Sequence, residues 1–335
     1  MNLFVERDIF FKLSPKERDM NKRIRGMVLV LAVLLLAAVL VFVGGCAKKE
    51  GAAKGKITLA YTGYPGGLTP FWAQMAQYIK EEATAQGVEL VDLSPTVADA
   101  AQQKDSVDNA INRGVQGIII GAIDNRAFGE SLKRAAEKKI VCVAVDTAID
   151  DPQITALAQT DNLASARVLG QYIVDNSPAK GKVLILGGTL GHQTGDARRD
   201  GVKQVLEANG FQVIFRACDW NDSKALETAT NELAANKDIV AVFGCWDPGA
   251  LAGLAAVKQR NLLDKVKVYG FDGLPPALKS IQDGELTATI KQDNKQMAQV
   301  IVRSVLAQIR GEQGVKKLLI DGFVIDKSNV AQYAQ

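Results

Sequence analysis

Eight side chains stand just beyond apolar runs and carry chemistry in their types: Phe71, Trp72, Asp146, Arg198, Trp220, Trp246, Asp272 and Gln292. Carboxylates accept from hydroxyl groups, an arginine donates to them, and an amide does both. Indole and phenyl faces suit the apolar C–H surface of a ring. The set is the chemistry of a polyhydroxylated, uncharged small molecule. A site of this kind rejects analogues that lack one hydroxyl by roughly 10⁴-fold, because a buried polar partner is then stranded. The chain has one histidine, His192, and no Cys/His cluster, so no metal site, no cofactor and no His-based nucleophile is expected. The expectation is a binding protein and not an enzyme.

Several of these positions also have plain structural readings. Asp247 before Pro248 reads as a helix cap with Pro at the first helical position, and Asp124 and Asp161 read as caps or as contacts. Asp272-Gly273 also fits a simple turn, whereas no helix pattern follows Asp146, which favours ligand contact there. Phe71 and Trp72 open an amphipathic helix, so one is expected in the core and one in the cleft. Trp220 and Trp246 fall at strand–helix junctions, where a large aromatic has less reason to be core. Either Arg198 or Arg199 belongs to the site, and His192 reads as an ordinary loop residue.

The elements that must position these residues alternate. Strands are expected over 57–61, 88–93, 117–120 and 140–145, with helices over 71–86, 97–113 and 127–138 between them. After a short segment at 156–160 the pattern restarts. Helices over 163–174, 196–209, 223–236 and 249–260 then alternate with strands over 183–186, 212–216, 239–243 and 266–270. A short helix (276–282), a short strand (286–290), a long helix (297–309) and two short strands (318–320, 323–325) complete the chain. Two consecutive runs of this kind make two α/β domains with parallel sheets. Assigning the last long helix to the first domain makes both discontinuous: 56–160 plus 293–321, and 161–292 plus 322–335. In open parallel sheets ligands bind outside the carboxyl ends of the strands, where the eight residues fall.

Charge excludes one class of partner. The first 45 residues hold seven Lys/Arg and four Asp/Glu, which accounts for the whole formal charge of +3. A neutral body argues against a phosphate-tracking nucleic-acid binder. At the N-terminus Lys22, Arg23 and Arg25 precede 17 residues (27–43) without a polar side chain, the layout of an export signal. The competing reading is a permanent transmembrane helix at the lower length limit. Val43-Gly44-Gly45-Cys46 resembles a bacterial lipobox, which implies cleavage before Cys46 and a diacylglycerol on its thiol. Residues 1–45 are then a signal region, 46–55 a tether, and Met20 the expected start of translation. Cys142 is expected to be a buried core thiol. Cys218 and Cys245 fall on strands flanking a common strand, about 10 Å apart, too far for a disulfide.

Taken together, Thr69-Pro-Phe-Trp, Gln116-Gly-Ile-Ile-Ile, Val145-Asp146, Gln159-Thr-Asp-Asn, Arg198-Arg-Asp-Gly, Val242-Phe-Gly, Tyr269-Gly-Phe-Asp-Gly and Ala288-Thr-Ile-Lys-Gln carry a resemblance. Over about residues 56–330 the chain resembles the type I, ribose-binding-like periplasmic sugar-binding proteins of ABC transporters. The resemblance implies two Rossmann-like domains joined by a three-stranded hinge that close on the ligand. It implies Phe71 and Trp72 as one aromatic wall, Trp220 as the other, and Asp146, Arg198, Asp272 and Gln292 as hydrogen-bonding groups. It also implies a small sugar or polyol ligand, an ABC permease as partner, a lipid-anchored monomer in the cell envelope, and no nucleic acid. The chain departs from the pattern at Trp246 (Asn expected), Thr147 (Arg), Gly121 (Asn) and the insertion Gly63-Tyr-Pro-Gly-Gly. These departures point away from ribose, toward a flatter or less polar pocket.

Other classes fit less well. A receptor serving a chemotaxis or sensor-kinase partner would use the same site. A LacI-type regulator core shares the fold but needs a DNA-binding module and a basic patch. For a nicotinamide-dependent enzyme, Gly187-Gly188-Thr189-Leu190-Gly191 is not the dinucleotide fingerprint, and residues 51–56 do not space as a P-loop.

Overall fold

The computed structural model describes residues 56–67, 69–177 and 180–333. The signal region, the start at Met20, the lipobox with Cys46 and the tether lie outside the described residues.

Two six-stranded sheets form the body. The first contains β1 (Thr58–Thr62), β2 (Glu89–Asp92), β3 (Gly117–Ile120), β4 (Val141–Val145), β5 (Ile154–Thr160) and β11 (Lys317–Ile320). The second contains β6 (Lys182–Gly187), β7 (Gln212–Ala217), β8 (Ile239–Gly244), β9 (Lys267–Asp272), β10 (Ala288–Lys291) and β12 (Phe323–Asp326). Their orders are β11-β5-β4-β3-β1-β2 and β12-β10-β9-β8-β6-β7, the same arrangement twice. All pairings are parallel except β10 with β12. The chain passes from one sheet to the other after Thr160, after Lys291 and after Ile320. These are the two α/β domains expected from the alternation.

The helices are α1 (Pro70–Ala85), α2 (Ala100–Arg113), α3 (Gly129–Glu137), α4 (Asn162–Asn176), α5 (Gln193–Ala208), α6 (Asp222–Ala235), α7 (Asp247–Gln259), α8 (Pro275–Gln282) and α9 (Asn294–Ile309). Local chemistry sets their ends. Thr69 accepts from the Trp72 N–H with Pro70 behind it, Asp99 caps α2 through the Gln102 N–H, and Gly114 ends α2 at φ 70°. Asp161 caps α4 through the Ala164 N–H. β3 is buried along its whole length because helices cover both faces. On one face lie Met75 and Ile79 of α1 with Met297 and Ile301 of α9; on the other lie Val107 and Ile111 of α2 with Leu132 of α3.

The cap expected of Asp247 fails, and of the two readings of Asp124 the cap is the one not adopted. Asp247 occupies the first helical position of α7 and Trp246 stands at the cap. Its carboxylate turns to the neighbouring strands, where Leu274 N–H (2.7 Å) and Thr289 Oγ1 (2.6 Å) satisfy it. Asp124 instead accepts the Arg126 N–H at 2.9 Å, tightening a turn, and α3 begins only at Gly129. Cys142, Cys218 and Cys245 are free and buried.

Candidate functional site

The carboxyl ends of the two sheets face each other, and the loops that leave them enclose a cavity of about 70 Å³. All eight side chains singled out in the sequence line it. They arrive from separate elements: Phe71 and Trp72 from the start of α1, Asp146 from the end of β4, Arg198 from α5. Trp220, Trp246 and Gln292 follow β7, β8 and β10, and Asp272 is the last residue of β9.

The aromatic walls are built of edge-to-face pairs. Phe71 meets Trp72 with ring centroids 5.4 Å apart, and Trp220 meets Trp246 at 5.5 Å. The expectation that only one of Phe71 and Trp72 faces the cleft is corrected: both line it, and both belong to the core of the first lobe. Trp246 is likewise part of the second lobe's core, with Trp220 packed against it. Each ring is large enough to fill the core with one edge and face the cavity with another. Tight backbone seats the indoles. A β-carbon on Gly188 would lie 2.2 Å from Trp220, so only glycine admits the ring there.

The polar groups form a closed ring of hydrogen bonds through the hinge. Thr160 Oγ1 donates to Gln292 Oε1 (2.7 Å), and Gln292 Nε2 donates to Asp272 Oδ1 (2.7 Å). Asp272 Oδ1 accepts from Arg198 Nη1 (3.3 Å), Arg198 Nε donates to Asn162 Oδ1 (2.8 Å), and Asn162 Nδ2 returns to the Thr160 carbonyl (3.0 Å). Arg198 also donates to the Cys245 carbonyl and stacks 4.0 Å over the Phe271 ring. Arg199, the alternative, points away and pairs with Asp196 and Asp200.

Asp146 stands apart from this ring. Its backbone sits at φ 63° in a tight turn closed by the Thr147 N–H on the Val145 carbonyl (2.7 Å). Thr147 Oγ1 donates to Oδ2 (3.0 Å), while the buried Oδ1 has no partner. Asp219, Trp220 and Asp272 also hold positive φ. Such conformations cost energy in non-glycine residues and cluster where side chains must be aimed.

Burial pushes the carboxyls of Asp146, Asp247 and Asp272 upward. Arg198 pulls Asp146 and Asp272 partly back, and Asp247 pushes Asp272 further up. Burial, and then Arg198, lower His192, which favours the neutral ring.

The sequence reading passed over His192, Thr194, Ala122 and Leu274, which also line the cavity. His192 packs edge-on against Trp220 (5.4 Å) and lies 3.0 Å from Thr194 Oγ1. Leu274 reaches from the second lobe into the first lobe's core beside Phe71 and Trp72. A signal existed for both: they follow β6 and β9 at the same sheet edge as the residues that were named. A larger cavity, about 580 Å³, adjoins the first, and Tyr64, Thr69, His192 and Trp220 line both. Among the described residues no group of His, Cys, Asp and Glu is arranged to hold a metal ion.

Two lobes with duplicated sheet order, a hinge crossed repeatedly by the chain and a polar–aromatic cavity between them define a two-lobed solute-binding protein. The chain belongs to the family described as "Periplasmic binding protein domain", which it matches over residues 60–313. It is 31% identical to the D-allose-binding periplasmic protein of Escherichia coli, over 67% of this chain and 76% of that protein. It is 29% identical to a ribose import binding protein of Salmonella typhimurium, over 75% of this chain and 85% of that protein. Among solved structures, an ABC transporter solute-binding protein from Bacillus halodurans with bound myo-inositol superposes with a TM-score of 0.78. The two are 25% identical, and the match covers 85% of this chain and 99% of that one. These relatives are solute-binding proteins, so the chain is a binder and not an enzyme, and its family implies an exported protein.

Proposed function

We propose that the protein is a lipid-anchored extracytoplasmic receptor that captures a small sugar or polyol between its lobes and delivers it to an ABC transporter permease. One observation carries the reading. Acceptors, donors and aromatic faces from both lobes converge on a single cavity in which a buried carboxylate oxygen, Asp146 Oδ1, has no partner. A ligand hydroxyl would satisfy that oxygen, and the indoles would cover the ring's C–H faces. The relatives that bind allose, ribose and myo-inositol support the same class of ligand.

Asp146, Phe71 and Trp72 belong to one lobe; Arg198, Trp220, Trp246 and Asp272 belong to the other. A ligand touching both binds the closed arrangement better than the open one and shifts the population toward it. The closed form then presents the surface a permease reads. Cys46 would carry the lipid, and residues 46–55 would let the lobes reach the permease. Mass spectrometry of small molecules released when the purified protein is denatured tests the ligand class; a polyol is expected. Release of no polyol, together with no thermal shift from any pentose, hexose or inositol, sinks the reading. Fractionation of Cys46→Ser cells tests the anchor: the variant should leave the membrane fraction.

A further inference from the structure

We propose that the ligand carries a protonated amine, making it an amino-sugar or amino-polyol instead of a neutral one. The inference rests on the polyol-binding reading above and adds a charge to it, where the sequence alone suggested an uncharged molecule.

The charges that line the inner cavity are those of Asp146, Arg198 and Asp272. Arg198 and Asp272 neutralise each other at 3.3 Å, and both are buried. The remaining donors of Arg198 go to Asn162 and the Cys245 carbonyl, and Asp272 accepts further from Gln292 and, at 3.4 Å, from the Asp247 N–H. Behind the lining, Asp247 is satisfied by Leu274 and Thr289 and faces Lys291. Among the described residues, Asp146 has no ion-pair partner of its own, and its Oδ1 has no hydrogen-bond partner. Position 147 supplies only a hydroxyl, to Oδ2, and the one cation felt at Asp146 is Arg198, already paired with Asp272.

A buried carboxylate without a counter-charge is unfavourable. A ligand hydroxyl would fill the vacant acceptor position but leave the charge uncompensated. An ammonium group fills it and also cancels the charge, whereas a hydroxyl, though its bond to the carboxylate is charge-assisted, brings no opposite charge. The aromatic walls discriminate in the same direction. Indole faces attract a cation and offer an anion nothing, and Trp72, Trp220 and Trp246 all line this cavity.

The test is calorimetric titration of the protein, refolded free of carried ligand, with matched pairs. The pairs are aminodeoxy-hexoses substituted at different carbons against their parent hexoses, and an amino-inositol against myo-inositol. At least one amine should bind about tenfold or more tightly than its hydroxyl parent. Asp146→Asn should weaken both members of a pair, and the amine by about tenfold more than its parent, so that the preference disappears. A neutral parent that binds as well as or better than every amine overturns the inference and leaves the polyol reading standing. If no member of either series binds, the inference falls, and the polyol reading is decided by the released-ligand analysis and sugar screen above. Circular dichroism shows whether the variant folds; if it does not, the wild-type comparison decides by itself.

Discussion

The Trp72 indole occupies the space that a side chain at position 121 would need: a β-carbon on Gly121 would lie 2.4 Å from Trp72 Cζ3. The glycine at the end of β3 and the aromatic wall of α1 are therefore one feature, and neither can change alone. Gly121→Ala should force the indole off its seat. Overpacking of this kind costs about 1–3 kcal/mol, to be read from chemical denaturation, and the displaced ring should weaken ligand binding in calorimetry. An alanine variant of wild-type stability and affinity would show that the close approach carries no constraint.

Trp220 packs between His192 and Trp246 and lines both the inner cavity and the one adjoining it. Trp220→Ala should weaken binding by roughly 1–3 kcal/mol through lost ring contact. Titration of the released ligand is the measurement, and an unchanged dissociation constant would move the aromatic wall elsewhere.

The hinge ring of hydrogen bonds passes through Thr160, whose hydroxyl orients the Gln292 amide toward Asp272. Thr160→Val keeps the shape and removes the donor, leaving Gln292 Oε1 unpaired in a buried setting. A cost of about 1–3 kcal/mol is expected, appearing as weaker binding even though Thr160 does not line the cavity. Far-ultraviolet dichroism should stay unchanged.

Burial raises the folded-state pKa of Asp146 above its unfolded value. The stability this group contributes is fully present below the ordinary carboxylate range, and it is lost as the pH rises through the raised folded value. Above that value the ligand-free protein holds a buried carboxylate that burial disfavours. Asp146→Asn should stabilise it there by roughly 1–3 kcal/mol, with the advantage shrinking toward about pH 4. Thermal melts of both proteins across that range provide the check, and a constant difference at every pH would contradict the assignment.

Most of the strand–helix alternation was legible in the sequence because burial leaves a local pattern. β3 reads Gly-Ile-Ile-Ile since both of its faces are covered, and Gly114 closes α2 since only a left-handed turn ends it there. The cavity residues were legible for a related reason. Parallel strands put their carboxyl ends at one edge, so Asp146, Asp272 and Trp246 could be picked out by counting from apolar runs. Asp247 was misread as a cap because sequence shows which helix a carboxylate begins, not that Leu274 N–H and Thr289 lie closer to it.

What the sequence by itself determined is thus the set of elements, the edge at which they present their functional groups, and the chemical kind of those groups. All of this follows from periodicity and residue type within a few turns of chain. Only the tertiary structure decided who pairs with whom. Arg198 takes Asp272 and leaves Asp146 without a cation, and Trp72 requires Gly121. His192, unremarkable in its loop, packs edge-on against Trp220 at the cavity wall. Those pairings join residues far apart in the chain, and their energies depend on distance and burial, which the order of amino acids does not display until the lobes are folded against each other.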